Sequence, residues 1–580
     1  MSGRENESKI RTRIAKKREM TKKKGNQKMS NFETEILQAV KDAVKHVYDI
    51  EPDEKQVVVE TPRDPKMGDY STSVAMRLAK QLHKAPMMIA EPLVEYLKEN
   101  YAGAESVELA NPGFINFRMK ASALSSVINK VLEEKEAYGT NNVGNGEKVL
   151  VEYVSANPTG NLHCGHARGA AWGDALTRIL KVSGYDVLRE YYVNDAGHQI
   201  DMLAESIYSR YCELYGISYP LPEEGYHAAD IVEVAKKIQS KDGDKWLHAD
   251  EEERTNYFKD EGIEMKLDAI REDLDLFRVH FDSWMHERFF YENNSKRIED
   301  VLEVMKKKDL TYEAEGALWF KSSKYGDDKD RVLRKSTGLL TYLTPDIANH
   351  VYKFERGYDT LIDLWGADHH SYVIRMKCAL EALGYKPEQL VVDLIQMVRM
   401  VDNGVEVKMS KRTGNAITIR ELCEDVGVDA ARWFFVSKDV GSHMDFDMNL
   451  ARTKTNDNPV YYAQYAYSRM NSIVTREDVP SFEKVDSYNL LTEEKELQML
   501  KLISEFPQEV ANAAKSRKPN HITDYIISLV KVFHSYYNAC RVYNPENLEL
   551  TNQRLGLIHA TMITLKNALD LVGVTAPEKM

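Results

Sequence analysis

The sequence predicts an α/β protein. A doubly wound, Rossmann-type parallel sheet carries a helical insertion, with a small α+β domain before it and an all-α bundle after it. Three observations lead there. Residues 147–154 (EKVLVEYV) read as a buried strand that breaks in SANPTGN and gives way to a helical pattern over 166–182, the opening of a doubly wound half. Further strands at 186–193, 360–365 and 390–394 are separated by helical stretches, the alternation that a parallel sheet with crossover helices requires. From about Asp457 the chain keeps a helical period with few strand runs (YYAQYAYSRMNSIV, KELQMLKLISEF, ITDYIISLVKVFHSYYNACRVY).

In chain order, residues 1–28 hold eleven Lys or Arg and three Glu and lack an apolar stretch, so they read as a basic, disordered tail that is either solvated or a nonspecific RNA-binding arm. Residues 29–141 mix a helix (FETEILQAVKDAVKHVY, apolar at i, i+3, i+4) with short strands at 56–60 and 114–117, an α+β domain. The sheet domain spans 142–456, and within it about 200–330 is charged and mainly helical, an insertion between the two halves. The helical bundle fills 457–580.

Composition narrows the function classes. A length of 580 residues suggests three or four packed units, and no apolar run approaches a membrane span. Cys164, Cys212, Cys378, Cys423 and Cys540 form no C-x-x-C pair, so neither a disulfide framework nor a zinc knuckle is indicated. A formal charge of −13 argues against indiscriminate coating of nucleic acid, leaving a specific RNA partner to local basic patches.

Two motifs carry chemistry. ANPTGNLHCGH (Ala156, Asn157, Pro158, Thr159, Gly160, Asn161, Leu162, His163, Cys164, Gly165, His166) sets two histidines where the strand-following loop meets a helix, and a helix N-terminus attracts anions. His163 and His166 would add donors to a triphosphate, and Gly165 would let an adenine ring approach the backbone. Paired histidines also suit zinc, but no third ligand is nearby, and a surface or core role is common for such a pair. VKMSKRTGN brings Lys408, Met409, Ser410, Lys411 and Arg412 into a loop after the last sheet strand, where ammonium groups could neutralise a leaving pyrophosphate. In isolation it reads as a solvated basic turn. No Walker A pattern (G-x-x-x-x-G-K-[ST]) is present.

Together, H-x-G-H after the first strand and KMSK after the last resemble the paired signatures of class I aminoacyl-tRNA synthetases. Within that class the chain resembles arginyl-tRNA synthetases from Met29 onward, through PRDPKMGDYSTSVAMRLAK, NPGFINF, YYVNDAGHQ, KSTGLLTYLTPDIANH, WGADHHSY, NPVYYAQYAYSR and LVGVTAPEKM. The resemblance implies ATP-dependent activation of L-arginine and transfer to the 3′ end of tRNA(Arg), with tRNA bound before the adenylate forms and with the 2′-hydroxyl as acceptor. It implies Mg2+ with the ATP, no structural metal, and a cytoplasmic monomer with no membrane partner. Tyr342 and Asp346 match the pair that holds the guanidinium; Glu287 and Asn157 match positions around the substrate's α-amino group; Asp368 falls on the ribose side. A bidentate carboxylate beside an aromatic wall at i, i+4 suits a planar cation. No Lys lies between Lys148 and Lys181, so the phosphate-binding lysines should be Lys408 and Lys411. The bundle would read the anticodon, with Tyr461, Tyr462, Arg469, Asn538 and Arg541 as candidates. A cysteinyl enzyme of the same class would want a zinc-ligand set these cysteines do not supply, and a noncatalytic tRNA-binding relative would not need both motifs intact.

Overall fold

The computed structural model describes residues 32–53, 55–62, 64–227, 229–407 and 416–580, so the basic tail lies outside the described residues. The chain divides into two compact units, Met1–Lys130 with Glu483–Gln508 and Asn544–Leu557, and Val131–Phe482 with Glu509–Tyr543 and Ile558–Met580.

In the first unit an antiparallel sheet runs in the order Val59–Glu60, Tyr70–Thr72, Phe114–Met119, Ala104–Ala110. The helix Phe32–Tyr48 buries Ile36, Val40, Ala43 and Val44, the stripe its spacing predicts. The strand expected at 56–60 shrinks to two residues. Asp53 turns the chain there, its carboxylate accepting from the Lys55 and Gln56 amides at 2.8 and 2.9 Å, so that backbone cannot join a ladder until Val59.

The second unit is built on five parallel strands in the order Leu390–Ile395, Thr360–Gly366, Lys148–Glu152, Asp186–Val193, Ser283–His286. The first strand in sequence lies centrally, and the winding reverses between it and Thr360–Gly366. In open α/β sheets the carboxyl ends of two such strands flank the crevice that binds ligands. The helix Cys164–Val182 crosses this sheet buried almost all round, which is why its apolar positions show no single stripe. Gly173 makes the close packing possible, since a Cβ there would stand 2.4 Å from the Tyr153 ring.

The stretch expected as a helical insertion divides. His198–Glu213, Ala229–Asp242 and Glu251–Leu276 are helices sharing an apolar cluster that includes Leu203, Ile207, Tyr211, Ile231, Ile238 and Phe258. Ser283–His286, however, is the edge strand of the parallel sheet, and Thr311–Ala314, Ala317–Phe320 and Arg331–Arg334 form a separate antiparallel sheet. Its first hairpin turns at Glu315 and Gly316, with φ of +53° and +74°, the two-residue turn that suits twisted strands. Beyond Pro459 the elements are helices: Pro459–Val474, Glu494–Ser516, Asn520–Ala539 and Leu548–Leu571.

Candidate active site

At the carboxyl end of Lys148–Glu152 the backbone turns sharply through two non-glycine residues with positive φ, Val154 (+69°) and Ser155 (+38°). Such conformations persist only where neighbours over-determine them. Here the Ser155 hydroxyl donates to Glu152 Oε1 and accepts the Tyr192 amide, both at 3.0 Å, while the Tyr191 hydroxyl donates to the Ala156 carbonyl at 2.8 Å. The exposed Asn157 is held by Asn194, which donates to its Oδ1 at 3.1 Å, and by Gln199, which accepts from its Nδ2 at 3.2 Å. Pro158 and Leu162 are buried under the loop, Thr159 is half-buried, and Gly160 and Asn161 face solvent.

His163 caps the helix Cys164–Val182. Its Nδ1 accepts the Gly165 amide at 3.1 Å, and His166 Nδ1 in turn accepts the His163 amide at 3.2 Å. The rings stack with centroids 3.9 Å apart. Because both Nδ1 atoms accept, each neutral ring carries its proton on Nε2 and offers an Nε2–H donor. Burial lowers both imidazoles below their ordinary range, His166 to about 4 with His163 adding to the effect. The rings are therefore uncharged donors at neutral pH. Gly165 serves first to make room for the His163 ring, 2.9 Å from where its Cβ would be.

Lys408, Met409, Ser410, Lys411 and Arg412 lie outside the described residues. The chain that follows them is stitched to the histidine motif: His163 bridges Thr418, the Cys164 amide donates to the Ile417 carbonyl and the Ile419 amide to the Leu162 carbonyl, both at 2.9 Å.

Across the crevice two carboxylates come together. Asp346 sits in the first turn of the helix Leu343–Glu355 and accepts the Tyr372 hydroxyl at 2.5 Å. Glu287, buried just past Ser283–His286, is pushed up to about 7 by burial, then by the charges of Asp346 and Asp195. Burial raises Asp346 as well, opposed by Tyr372, His350 and Lys353. Among the described residues neither carboxylate has an ion-pair partner. A buried anionic pair of this kind is costly unless a cation completes it. Tyr291 approaches Glu287 at 3.5 Å, and the Tyr342 ring, at the helix entry, is 86% exposed.

Beneath Asp346 the same helix is anchored by charge. The fully buried Lys353 donates to Glu152 at 2.5 Å and to Asp363 at 3.3 Å; His350 spans the Asp346 carbonyl (2.7 Å) and Asp363 (2.8 Å); Arg356 donates to Glu190 at 2.6 Å. The helix that presents Asp346 is thus bolted to three sheet strands. Sequence reasoning missed Lys353, His350 and Tyr372, although Asp346, His350 and Lys353 at i, i+4, i+7 form a titratable stripe on an otherwise apolar helix face. Asp368 lies past the carboxyl end of Thr360–Gly366 with its side chain 81% exposed.

In the helical region Tyr461, Tyr462 and Arg469 share the helix Pro459–Val474. Tyr461 stacks parallel to Tyr465, Tyr462 stacks on His534 at 4.7 Å, and Arg469 donates to the Tyr537 hydroxyl at 2.7 Å. Asn538 and Arg541 are exposed at the end of Asn520–Ala539 and just beyond it. Tyr465, His534 and Tyr537 join this aromatic face without having been singled out from sequence. Among the described residues no group of His, Cys, Asp or Glu could hold a metal ion, the five cysteines are free and buried, and no helix is long and apolar enough to cross a membrane.

Three family models match the chain: the arginyl tRNA synthetase N terminal domain over residues 33–119, the catalytic domain of class I (R) tRNA synthetases over 127–472, and the DALR anticodon binding domain over 463–580. The chain is 51% identical over 527 residues to an arginine–tRNA ligase of Halalkalibacterium halodurans, covering 90% of this chain and 94% of that one. It is 50% identical over 526 residues to the arginine–tRNA ligase of Bacillus subtilis, with the same coverage. Among solved structures it is similar to a Campylobacter jejuni structure assigned to the arginyl-tRNA synthetases (34% identity, TM-score 0.72, 80% of this chain and 100% of that one). It shares the fold of the Thermus thermophilus arginyl-tRNA synthetase (22% identity, TM-score 0.73, 95% and 100%).

Proposed function

The chain belongs to the class I arginyl-tRNA synthetases, and from that membership we propose how its residues divide the work of joining arginine to tRNA(Arg) at the expense of ATP. In the first step the arginine carboxylate attacks the α-phosphorus in line, giving arginyl-adenylate and pyrophosphate. In the second, a hydroxyl of the terminal adenosine of tRNA(Arg) takes the arginyl group and AMP leaves; we assign this to the 2′-hydroxyl. ATP arrives as its magnesium complex.

His163 and His166 donate from Nε2 to the phosphates, and the helix N-terminus behind them adds its field. What supports this role is their shared tautomer, set by two backbone amides. Lys408 and Lys411 neutralise charge on the departing pyrophosphate, and Met409 and Ser410 contribute to binding ATP. Ala156 to Gly165 line the ATP site, and Asp368 meets the ribose. Catalysis is then positioning and electrostatics, with no covalent enzyme intermediate.

The observation that carries the reading is a buried carboxylate pair that has no ion-pair partner among the described residues. Asp346 takes the guanidinium in bidentate fashion and Tyr342 closes over it. Glu287 was expected near the α-amino group, but its electrostatic coupling to Asp346 favours a place at the guanidinium end as well. Asn157 remains the candidate for the α-amino neighbourhood. Lysine would leave both carboxylates incompletely bonded, and sites of this kind discriminate by about four orders of magnitude without editing. The aromatic face bearing Tyr461, Tyr462, Arg469, Asn538 and Arg541 reads the anticodon, the N-terminal α+β domain grips the outer corner of the tRNA, and the enzyme works as a cytoplasmic monomer. Arginine-dependent exchange of pyrophosphate into ATP tests the first step. It should appear only when tRNA(Arg) is present; exchange without tRNA contradicts the ordered mechanism, and no exchange with arginine under either condition contradicts the assignment.

A further inference from the structure

At the arginine end of the site one buried polar atom has no hydrogen-bond partner among the described residues. Tyr192 lies on Asp186–Val193, in register with Met285 of the neighbouring strand, and its amide is fixed by the Ser155 hydroxyl at 3.0 Å. Its phenolic oxygen is shielded from water and has no hydrogen-bond partner among the described residues. Burial, and after it the charges of Glu287, Asp346 and Glu152, raise its pKa, so the phenol keeps its proton and remains a donor. A hydroxyl left unpaired in a folded interior costs stability that phenylalanine would not cost, and such residues persist where function needs them.

Tyr372 shows what a neighbouring phenol does when it is satisfied: it donates to Asp346 and orients that carboxylate. Glu287 is held more loosely, accepting only the Tyr291 hydroxyl at 3.5 Å. We propose that Tyr192 is the positioning residue for Glu287, its hydroxyl donating to the Glu287 carboxylate once the guanidinium has drawn that carboxylate into its ionised, ligand-facing position. The phenol keeps its own proton throughout, and its O–H gains an acceptor that the empty site withholds. Asp346 would then be held by Tyr372, and Glu287 by Tyr192 beside the long Tyr291 contact, so that four acceptor oxygens meet the guanidinium fork in a fixed plane.

This inference rests on the reading that Asp346 and Glu287 share the guanidinium, and the experiment separates the two. Arginine and ATP KM, kcat and thermal midpoint are measured for the full chain charging tRNA(Arg), as wild type, Tyr192→Phe, Glu287→Gln, the double variant, and Asp346→Ala. Tyr192→Phe should raise the arginine KM on the order of 10- to 100-fold, the range for a hydrogen bond to a charged group. Its kcat and ATP KM should stay unchanged, and its thermal midpoint should be unchanged or higher. In the Glu287→Gln background the same substitution should add little, because its partner has been altered. A wild-type arginine KM in Tyr192→Phe, or an undiminished effect in the Glu287→Gln background, overturns the inference while a loss of arginine use in Asp346→Ala keeps the guanidinium reading intact. A wild-type arginine KM in Asp346→Ala overturns both.

Discussion

Arginine should bind more weakly below neutral pH, and the size of the effect follows from Glu287. Burial and the charges of Asp346 and Asp195 push this carboxyl up to about 7, so in the empty site it holds a proton over much of the mildly acidic range. A guanidinium cation needs the ionised form. The sign is therefore fixed: binding expels a proton, and the arginine KM falls as pH rises towards 7 and levels off above it. If only the ionised form binds, KM scales as 1 + 10^(7 − pH), roughly 30 times its plateau at about pH 5.5 and about 1.3 times at about pH 7.5, a fall of roughly 25-fold. Asp346, also raised by burial, steepens the acid end. The other groups that bear on the pair are Tyr192, Tyr291 and Tyr372, which stay protonated throughout, the buried His350, Lys353 and Asp363 behind Asp346, and the His286 ring held on Asp195 at 2.7 Å. The assay is the arginine KM in tRNA charging between pH 5.5 and 8, with the ATP KM measured alongside. Glu287→Gln should weaken binding at every pH and flatten the profile. An arginine KM independent of pH over this window, or a slope that survives unchanged in Glu287→Gln, would refute the reasoning.

Other substitutions probe the remaining parts. Asp346→Ala should abolish arginine-dependent pyrophosphate exchange while equilibrium binding of an ATP analogue stays close to wild type. Lys353→Met would strand the Glu152 and Asp363 carboxylates in the interior and should cost about 3–5 kcal/mol, read from the denaturation midpoint. His166→Ala removes an Nε2–H donor and the acceptor for the His163 amide, and single-turnover adenylate formation should slow about 10²- to 10³-fold with the arginine KM little changed.

Much of the frame was legible because it is written in local patterns. The strand Asp186–Val193 agrees with its sequence reading residue for residue, and the histidine motif lies at the strand-to-helix junction that its breakers marked. Ser283–His286 escaped because four half-buried residues give no alternation to detect, and the strands between Thr311 and Arg334 escaped because their charged surroundings resemble a solvated helix. The candidate site was legible only where its residues fall in short strings. Tyr342 and Asp346 share one turn. The Lys353 ammonium instead meets a carboxylate some two hundred positions earlier in the chain, and the charge of a lysine in sequence says nothing about its burial. Tyr192 and Tyr372 read as ordinary core aromatics, because what distinguishes them is the location of a hydroxyl rather than of a ring.

The central claim is that the carboxylate pair makes this enzyme specific for arginine. Its most direct test is aminoacylation of tRNA(Arg) by the purified full-length chain with each radiolabelled amino acid in turn. Arginine alone should be charged, with lysine about four orders of magnitude less efficient in kcat/KM. Charging by another amino acid at comparable efficiency, or by none, would contradict it.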